Sequence, residues 1–124
     1  MITITKEFKF EAAHYLPDHP GLCKNLHGHS YKMKITVRHK NNKYNNQTKM
    51  VVDFGLLKSI VNKIIIDKVD HSYLNKFFNI PTAEFMVERF ADILQKAILK
   101  EGVDIVLLKV SLWETAGSEA TWTL

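Results

Sequence analysis

From Tyr31 to Val37 every second residue is apolar, with Tyr31, Met33, Ile35 and Val37 alternating against Lys32, Lys34 and Thr36. Successive side chains of a strand project to opposite sides, so this period of two describes a strand with one dry face and one wet face. Such a strand must lie in a sheet whose dry side is covered by another layer. A second segment repeats the pattern: Ile2, Ile4, Phe8 and Phe10 recur at even positions, and the strand extends toward His14. Further on, Ile105 to Trp113 is rich in Val and Leu, and a short last strand is expected near Ala120 to Leu124.

The covering layer is legible as helical spacing. Asp53 is a candidate N-cap for a helix in which Leu57, Ile60, Val61, Ile64 and Ile65 share one face, through about Lys68. A second helix has Thr82 as its N-cap, Pro81 just before it, and Val87, Phe90, Ala91, Leu94, Ala97 and Ile98 on one face; Gly102 ends it. The polar run Lys40 to Lys49 reads as a hairpin connection to a strand around Met50 to Val52. Tyr15 to Leu26, with Pro17, Pro20 and Gly21, reads as a long irregular loop, and loops of that length are often functional. The expected architecture is α+β: a four-stranded antiparallel sheet with two helices packed on one face, in one domain spanning 1–124. The helices leave the other sheet face bare, so Tyr31, Trp113 and Trp122 are candidates for a subunit interface.

Charge and cysteine content narrow the function classes. The net charge is +4, but the lysines are scattered instead of forming one stripe, which argues against a nucleic-acid surface and suits an anionic small molecule. One cysteine cannot make an internal disulfide, so a cytoplasmic protein is expected. The first residues lack the apolar core of a signal peptide, and no stretch approaches the about 18 to 20 apolar residues that span a bilayer.

The chemistry centres on His27-Gly28-His29. In an extended strand residues two apart share a face, so the two imidazoles converge. His14 ends a strand that can pair antiparallel with the one starting at His29, and three histidines with a vacant fourth position are the arrangement of a catalytic zinc site. Spacing alone leaves open two surface histidines beside one hydrogen-bonded core histidine. Cys23 lies in the loop, four residues before His27. It is either a small buried hydrophobe or, beside a dication, a thiolate able to act as base, nucleophile or fourth ligand. Asp70-His71 falls between the helices, where a carboxylate can fix the tautomer of a proton-relaying imidazole, although adjacent residues do not automatically bond. Glu114 ends the apolar strand; it is either a polar terminus or an acceptor for the amidine-like edge of a guanine or pterin ring.

Six pieces in register, FKFEAAHYLP, CKNLHGHSY, MVVDFGLLK, VDHSYLN, IPTAEFMVERF and SLWET, resemble the 6-pyruvoyltetrahydropterin synthase family over nearly the whole chain. The spacing of Cys23 to the HGH group is similar to that of the bacterial 6-carboxytetrahydropterin synthases of queuosine biosynthesis. The resemblance implies the tunnelling fold, assembled as a homo-oligomer, trimer or hexamer. It implies Zn2+ on His14, His27 and His29, Cys23 as proton acceptor, Asp70 and His71 as a relay, and Glu114 as the pterin anchor. Thr82, Ala83 and Glu84 would line the pterin pocket from a neighbouring subunit. The implied substrate is the small-molecule pterin triphosphate 7,8-dihydroneopterin triphosphate, with a 6-carboxy or, alternatively, a 6-pyruvoyl product; a zinc- or pterin-binding module without catalysis is the rival from another class. Two departures stand out, the Lys40 to Lys49 insertion and the ending GSEATWTL, and neither touches an implied ligand.

Overall fold

A computed structural model describes residues 1–124. Five strands form one sheet: β1 (Thr3–His14), β2 (His27–His39), β3 (Ser72–Tyr73), β4 (Ile105–Thr115) and β5 (Ser118–Thr123), in the order β3-β1-β2-β4-β5. β1 and β2 pair antiparallel along their whole length, from Thr3 opposite Arg38 to His14 opposite His27. β4 pairs antiparallel with both β2 and β5. The α+β class and the helix-covered sheet are as the sequence implied, but the sheet has five strands, not four, and is mixed. The extra strand, β3, is two residues long and runs parallel to β1 beside Ala12 and Ala13. Two residues carry no detectable period, so only the long-range pairing reveals them.

Helix α1 (Phe54–Val61) starts where the Asp53 carboxylate accepts the Leu56 N–H, satisfying one of the donors that a helix N-terminus leaves free. It widens into a π-helical turn at Asn62–Ile66 and ends as α2 (Asp67–Val69). Helix α3 (Ala83–Glu101) starts at Thr82, whose hydroxyl accepts the Phe85 N–H, and stops at Gly102 with φ 66°, a left-handed conformation that glycine adopts without a Cβ clash. Met86, Val87, Phe90, Ala91, Leu94 and Ile98 form its buried stripe. They join Phe8, Phe10, Met33, Ile35, Val110 and Leu112 from the sheet in one apolar core. None of the helices is long and apolar enough to cross a membrane.

Two further expectations are corrected. Met50 to Val52 forms no strand, because the preceding loop closes on itself: the Asn45 N–H donates to the Met50 carbonyl, and the Lys49 N–H to the Asn45 carbonyl. Of the three aromatic interface candidates, Tyr31 is 1% exposed and stacks on Phe10 at 4.8 Å between ring centroids, so it belongs to the core. Trp122 pairs with the buried Val110 and packs against the core from the helix side. Trp113 alone of the three lies on the bare face, with the Lys32 ammonium 4.4 Å from its ring centre.

Candidate metal centre

The β1–β2 register puts His14 directly opposite His27, while the pleat puts His29 on the same side two residues on, opposite Ala12. The three imidazoles therefore gather at one end of the sheet, on its helix-covered face, with their ligand atoms within 4.8 Å of one another. His14 is fully buried and the other two are half-buried.

Hydrogen bonds to the outer ring nitrogens decide which nitrogens are free. His14 Nδ1 is 2.9 Å from the Pro81 carbonyl and His27 Nδ1 is 2.8 Å from the Asn25 carbonyl. A carbonyl only accepts, so both Nδ1 atoms carry a proton and donate, which makes Nε2 the nitrogen that each ring can offer to a metal. Those two Nε2 atoms stand 3.0 Å apart. Two lone pairs at that distance repel unless a positive centre lies beside them, and nitrogens sharing one tetrahedral ion at about 2.0–2.1 Å would be roughly 3.3 Å apart. His29 Nε2 is buried and makes no hydrogen bond. Its nearest charged neighbour, Glu114 Oε1, is 3.2 Å away but outside hydrogen-bonding geometry. An orphaned, buried ring nitrogen is costly unless something absent from the chain itself completes it. All three residues thus fit a divalent metal ion.

Electrostatics favours the same reading. Burial is the main cause that pushes His14 below the ordinary imidazole value, against the raising effects of the Pro81 hydrogen bond and the Glu114 charge. His29 is lowered too, again chiefly by burial. Both rings are held neutral, the state that binds metal.

Glu114 sits near the end of β4 and lines a cavity of about 690 Å³ together with Ala83, Glu84, Val87, Gly117 and Trp122. Ala83 and Glu84, expected across a subunit boundary, thus share this cavity with Glu114 within a single chain. Thr82 does not line it and spends its hydroxyl on capping α3.

Cys23 lies in a short 3-10 turn, Leu22–Lys24, partly exposed and outside the histidine trio. The Leu16 N–H, donating to the Cys23 carbonyl at 2.7 Å, ties its loop to the end of β1. The Asp70 and His71 side chains do meet, with Asp70 Oδ1 3.1 Å from His71 Nδ1. The turn that allows this needs φ 57° at His71, and backbone bonds pin it: the His71 N–H donates to the Glu11 carbonyl, and Asp70 Oδ1 accepts the Glu11 N–H. The Glu11 N–H is also the main reason Asp70 is held below the usual carboxylate range, with His71 adding to it. The His71 side chain is 79% exposed and outside the histidine trio; it lines a second cavity of about 430 Å³ with Glu11, Ser30 and His29 of the trio, and not the Glu114 cavity.

Three partners of the site have no sequence signal that sequence reasoning used. The Pro81 and Asn25 carbonyls are main-chain groups that any residue could supply. Tyr31, whose hydroxyl is 3.3 Å from His14 Nδ1, reads in the sequence as a strand aromatic and interface candidate, with nothing to mark it as a neighbour of the site. Burial raises its phenol well above the ordinary value, with Glu114 contributing, so it stays a neutral hydroxyl.

Comparison with known proteins gives a consistent result. The family model described as 6-pyruvoyl tetrahydropterin synthase matches residues 3–123. A 6-carboxy-5,6,7,8-tetrahydropterin synthase of Haemophilus influenzae is 34% identical, with 95% of this chain and 96% of that protein covered. The protein of the same name from Synechocystis is 42% identical over 68% of this chain and 67% of its own length. Among solved structures, Caenorhabditis elegans 6-pyruvoyl tetrahydropterin synthase superposes with a TM-score of 0.83 at 27% identity, covering 98% of this chain and 94% of that one.

Proposed function

This chain belongs to the 6-pyruvoyl tetrahydropterin synthase family, and we propose that it is a zinc-dependent lyase converting 7,8-dihydroneopterin triphosphate and one water to 6-carboxy-5,6,7,8-tetrahydropterin, acetaldehyde and triphosphate. The observation that carries the proposal is the set of three imidazoles whose ligand atoms lie within 4.8 Å of one another, with His29 Nε2 buried and without a hydrogen-bond partner. The shared name of the Haemophilus influenzae and Synechocystis relatives favours the 6-carboxy over the 6-pyruvoyl product.

His14, His27 and His29 would hold the ion and leave a coordination position for the substrate side chain. Zinc, when bound, supplies Lewis acidity that lowers the pKa of the side-chain hydroxyls and the adjacent C–H. Glu114 orients the pterin: its two carboxylate oxygens accept parallel hydrogen bonds from the ring's amidine-like edge. Cys23 Sγ, as thiolate, takes the proton from the side-chain carbon. His71 would move protons at Nε2, because its Nδ1 faces Asp70 Oδ1 at 3.1 Å.

The relay pair does not line the Glu114 cavity of its own chain, and a second copy would bring one there. β3 and β5 are the two edges of the sheet; Asp70 and His71 adjoin the first, while the Glu114 cavity includes β5 residues. Copies joined edge to edge in a homo-oligomer, trimer or hexamer, would set the relay of one beside the cavity of the next. Such joining also removes the unpaired backbone that an open edge exposes.

Incubation of purified, metal-analysed protein with 7,8-dihydroneopterin triphosphate tests the assignment. Acetaldehyde with a 6-carboxy product is expected; a pyruvoyl product would move the protein to the sister activity, and no turnover by zinc-loaded protein would reject the enzyme reading. The 6-carboxy product would place the chain in queuosine biosynthesis.

A further inference from the structure

We propose that Asn75 is a positioning residue for the metal centre, its side-chain amide clamping Tyr15 and thereby holding both the ligand His14 and the loop that carries Cys23. The proposal rests on the metal reading above. It also gives a role to the last residue of the VDHSYLN segment, which the chemistry of Asp70 and His71 leaves unexplained.

β3 accompanies β1 for only two residues, Ala12 and Ala13. Past that point the chain turns into a short 3-10 helix, Leu74–Lys76, and no backbone from it pairs with the end of β1. Asn75 replaces the missing ladder. Its Oδ1 accepts the Tyr15 N–H at 2.9 Å, and its Nδ2 donates to the Tyr15 carbonyl at 2.9 Å. An amide side chain carries both a donor and an acceptor, so it can satisfy one residue's backbone in both directions, as a paired strand would. Asp70 does the same in part at the other end of β3, accepting the Glu11 N–H.

Tyr15 joins the two functional elements. The preceding residue is His14, whose buried ring has to meet the Pro81 carbonyl on one side and the metal position on the other. The following residue is Leu16, whose N–H donates to the Cys23 carbonyl at 2.7 Å; its own carbonyl accepts the His19 N–H. Releasing Tyr15 would free the end of β1 and the root of the Cys23 loop together. Groups that orient metal ligands from behind typically change affinity by about 10- to 100-fold when removed.

The test compares the full chain with Asn75→Ala and Asn75→Asp, and with Asn41→Ala as control. Asn41 is bonded much as Asn75 is, donating to the Tyr44 carbonyl at 2.9 Å and accepting the Lys43 N–H at 2.8 Å, but in the Lys40 to Lys49 loop. Three quantities are measured: zinc affinity by competition with a chromophoric chelator, the visible spectrum of the Co(II)-loaded protein, and the rate of Cys23 alkylation by iodoacetamide without metal. Asn75→Ala should weaken zinc by about 10- to 100-fold, shift the Co(II) bands and speed alkylation severalfold, while Asn41→Ala changes none of these. Asn75→Asp keeps the acceptor but turns a carboxylate oxygen toward the Tyr15 carbonyl; it should behave like the alanine variant and serves if that variant does not fold. A folded Asn75 variant with unaltered zinc affinity and alkylation rate would overturn the proposal. Should the unsubstituted chain bind no zinc, the metal reading fails by itself, and the alkylation rates still decide whether Asn75 clamps the loop.

Discussion

Glu114 Oε1 lies 3.2 Å from His29 Nε2, a buried ring nitrogen left without a hydrogen bond. A carboxylate placed there adds negative charge to the metal position and still opens onto the large cavity beside α3 and β5. One side chain therefore adjoins both the proposed ion and the proposed pterin. Glu114→Gln keeps the shape and loses the charge. Zinc content should persist while KM for the pterin rises about tenfold to a hundredfold, the size of one lost charge-assisted hydrogen-bond pair; an unchanged KM would remove Glu114 from substrate binding.

His27→Ala removes a half-buried ring whose outer nitrogen is already served by a main-chain carbonyl, so the fold should survive. Zinc measured by atomic absorption should fall well below one per chain, and turnover should disappear with it. A folded variant that kept full zinc and activity would dismantle the metal centre.

Cys23 stands outside the histidine trio, so Cys23→Ala should retain zinc. If its thiolate is the base, kcat drops by about 10²- to 10⁴-fold, the usual weight of a positioned acid–base group. Single-turnover rates on zinc-loaded protein would show it, and wild-type kcat would reassign the proton acceptor.

His14 and His29 are both held below the ordinary imidazole value of 6.5 in the folded chain. The unfolded chain therefore binds more protons as pH falls below about 6.5, and the folded chain resists them until its own lower pKa values are reached. This stabilisation is complete above pH 6.5 and is lost as pH falls through the folded values. Thermal midpoints of metal-free protein should accordingly fall between pH 7.5 and pH 5.5, and a double replacement of His14 and His29 by Gln should flatten that fall. Asp70, held low by the Glu11 N–H, adds a separate loss only at more acidic pH.

Tyr31 separates packing from site chemistry. Tyr31→Phe keeps the stack on Phe10 and removes only the hydroxyl near His14, so stability should change by less than about 1.5 kcal/mol. Tyr31→Ala leaves a cavity in the core and should cost about 3–5 kcal/mol by urea denaturation. Equal losses in the two variants would place the hydroxyl, not the ring, at the centre of its role.

What the sequence alone determined is whatever a single segment decides through its own period and caps. Alternation in Tyr31 to Val37 set which face of β2 is dry. Two-residue spacing put His27 and His29 on one side, and Thr82 and Gly102 bounded α3, because strand pleat, helix pitch and terminal capping are properties of neighbouring residues. The motif order carried the family for the same reason. Only the tertiary structure decided what depends on partners far along the chain. Pro81 and Asn25 carbonyls select the ring tautomers, two residues at Ser72 and Tyr73 add a parallel fifth strand, and His71 adopts a left-handed backbone to meet Asp70. Tyr31 leaves the interface candidates for the core because Phe10, twenty-one positions away, offers it a stacking face. Met50 to Val52 stays out of the sheet because the loop before it satisfies its own hydrogen bonds. Main-chain donors and acceptors are alike at nearly every position, so no residue identity announces which of them will be used until the chain has folded.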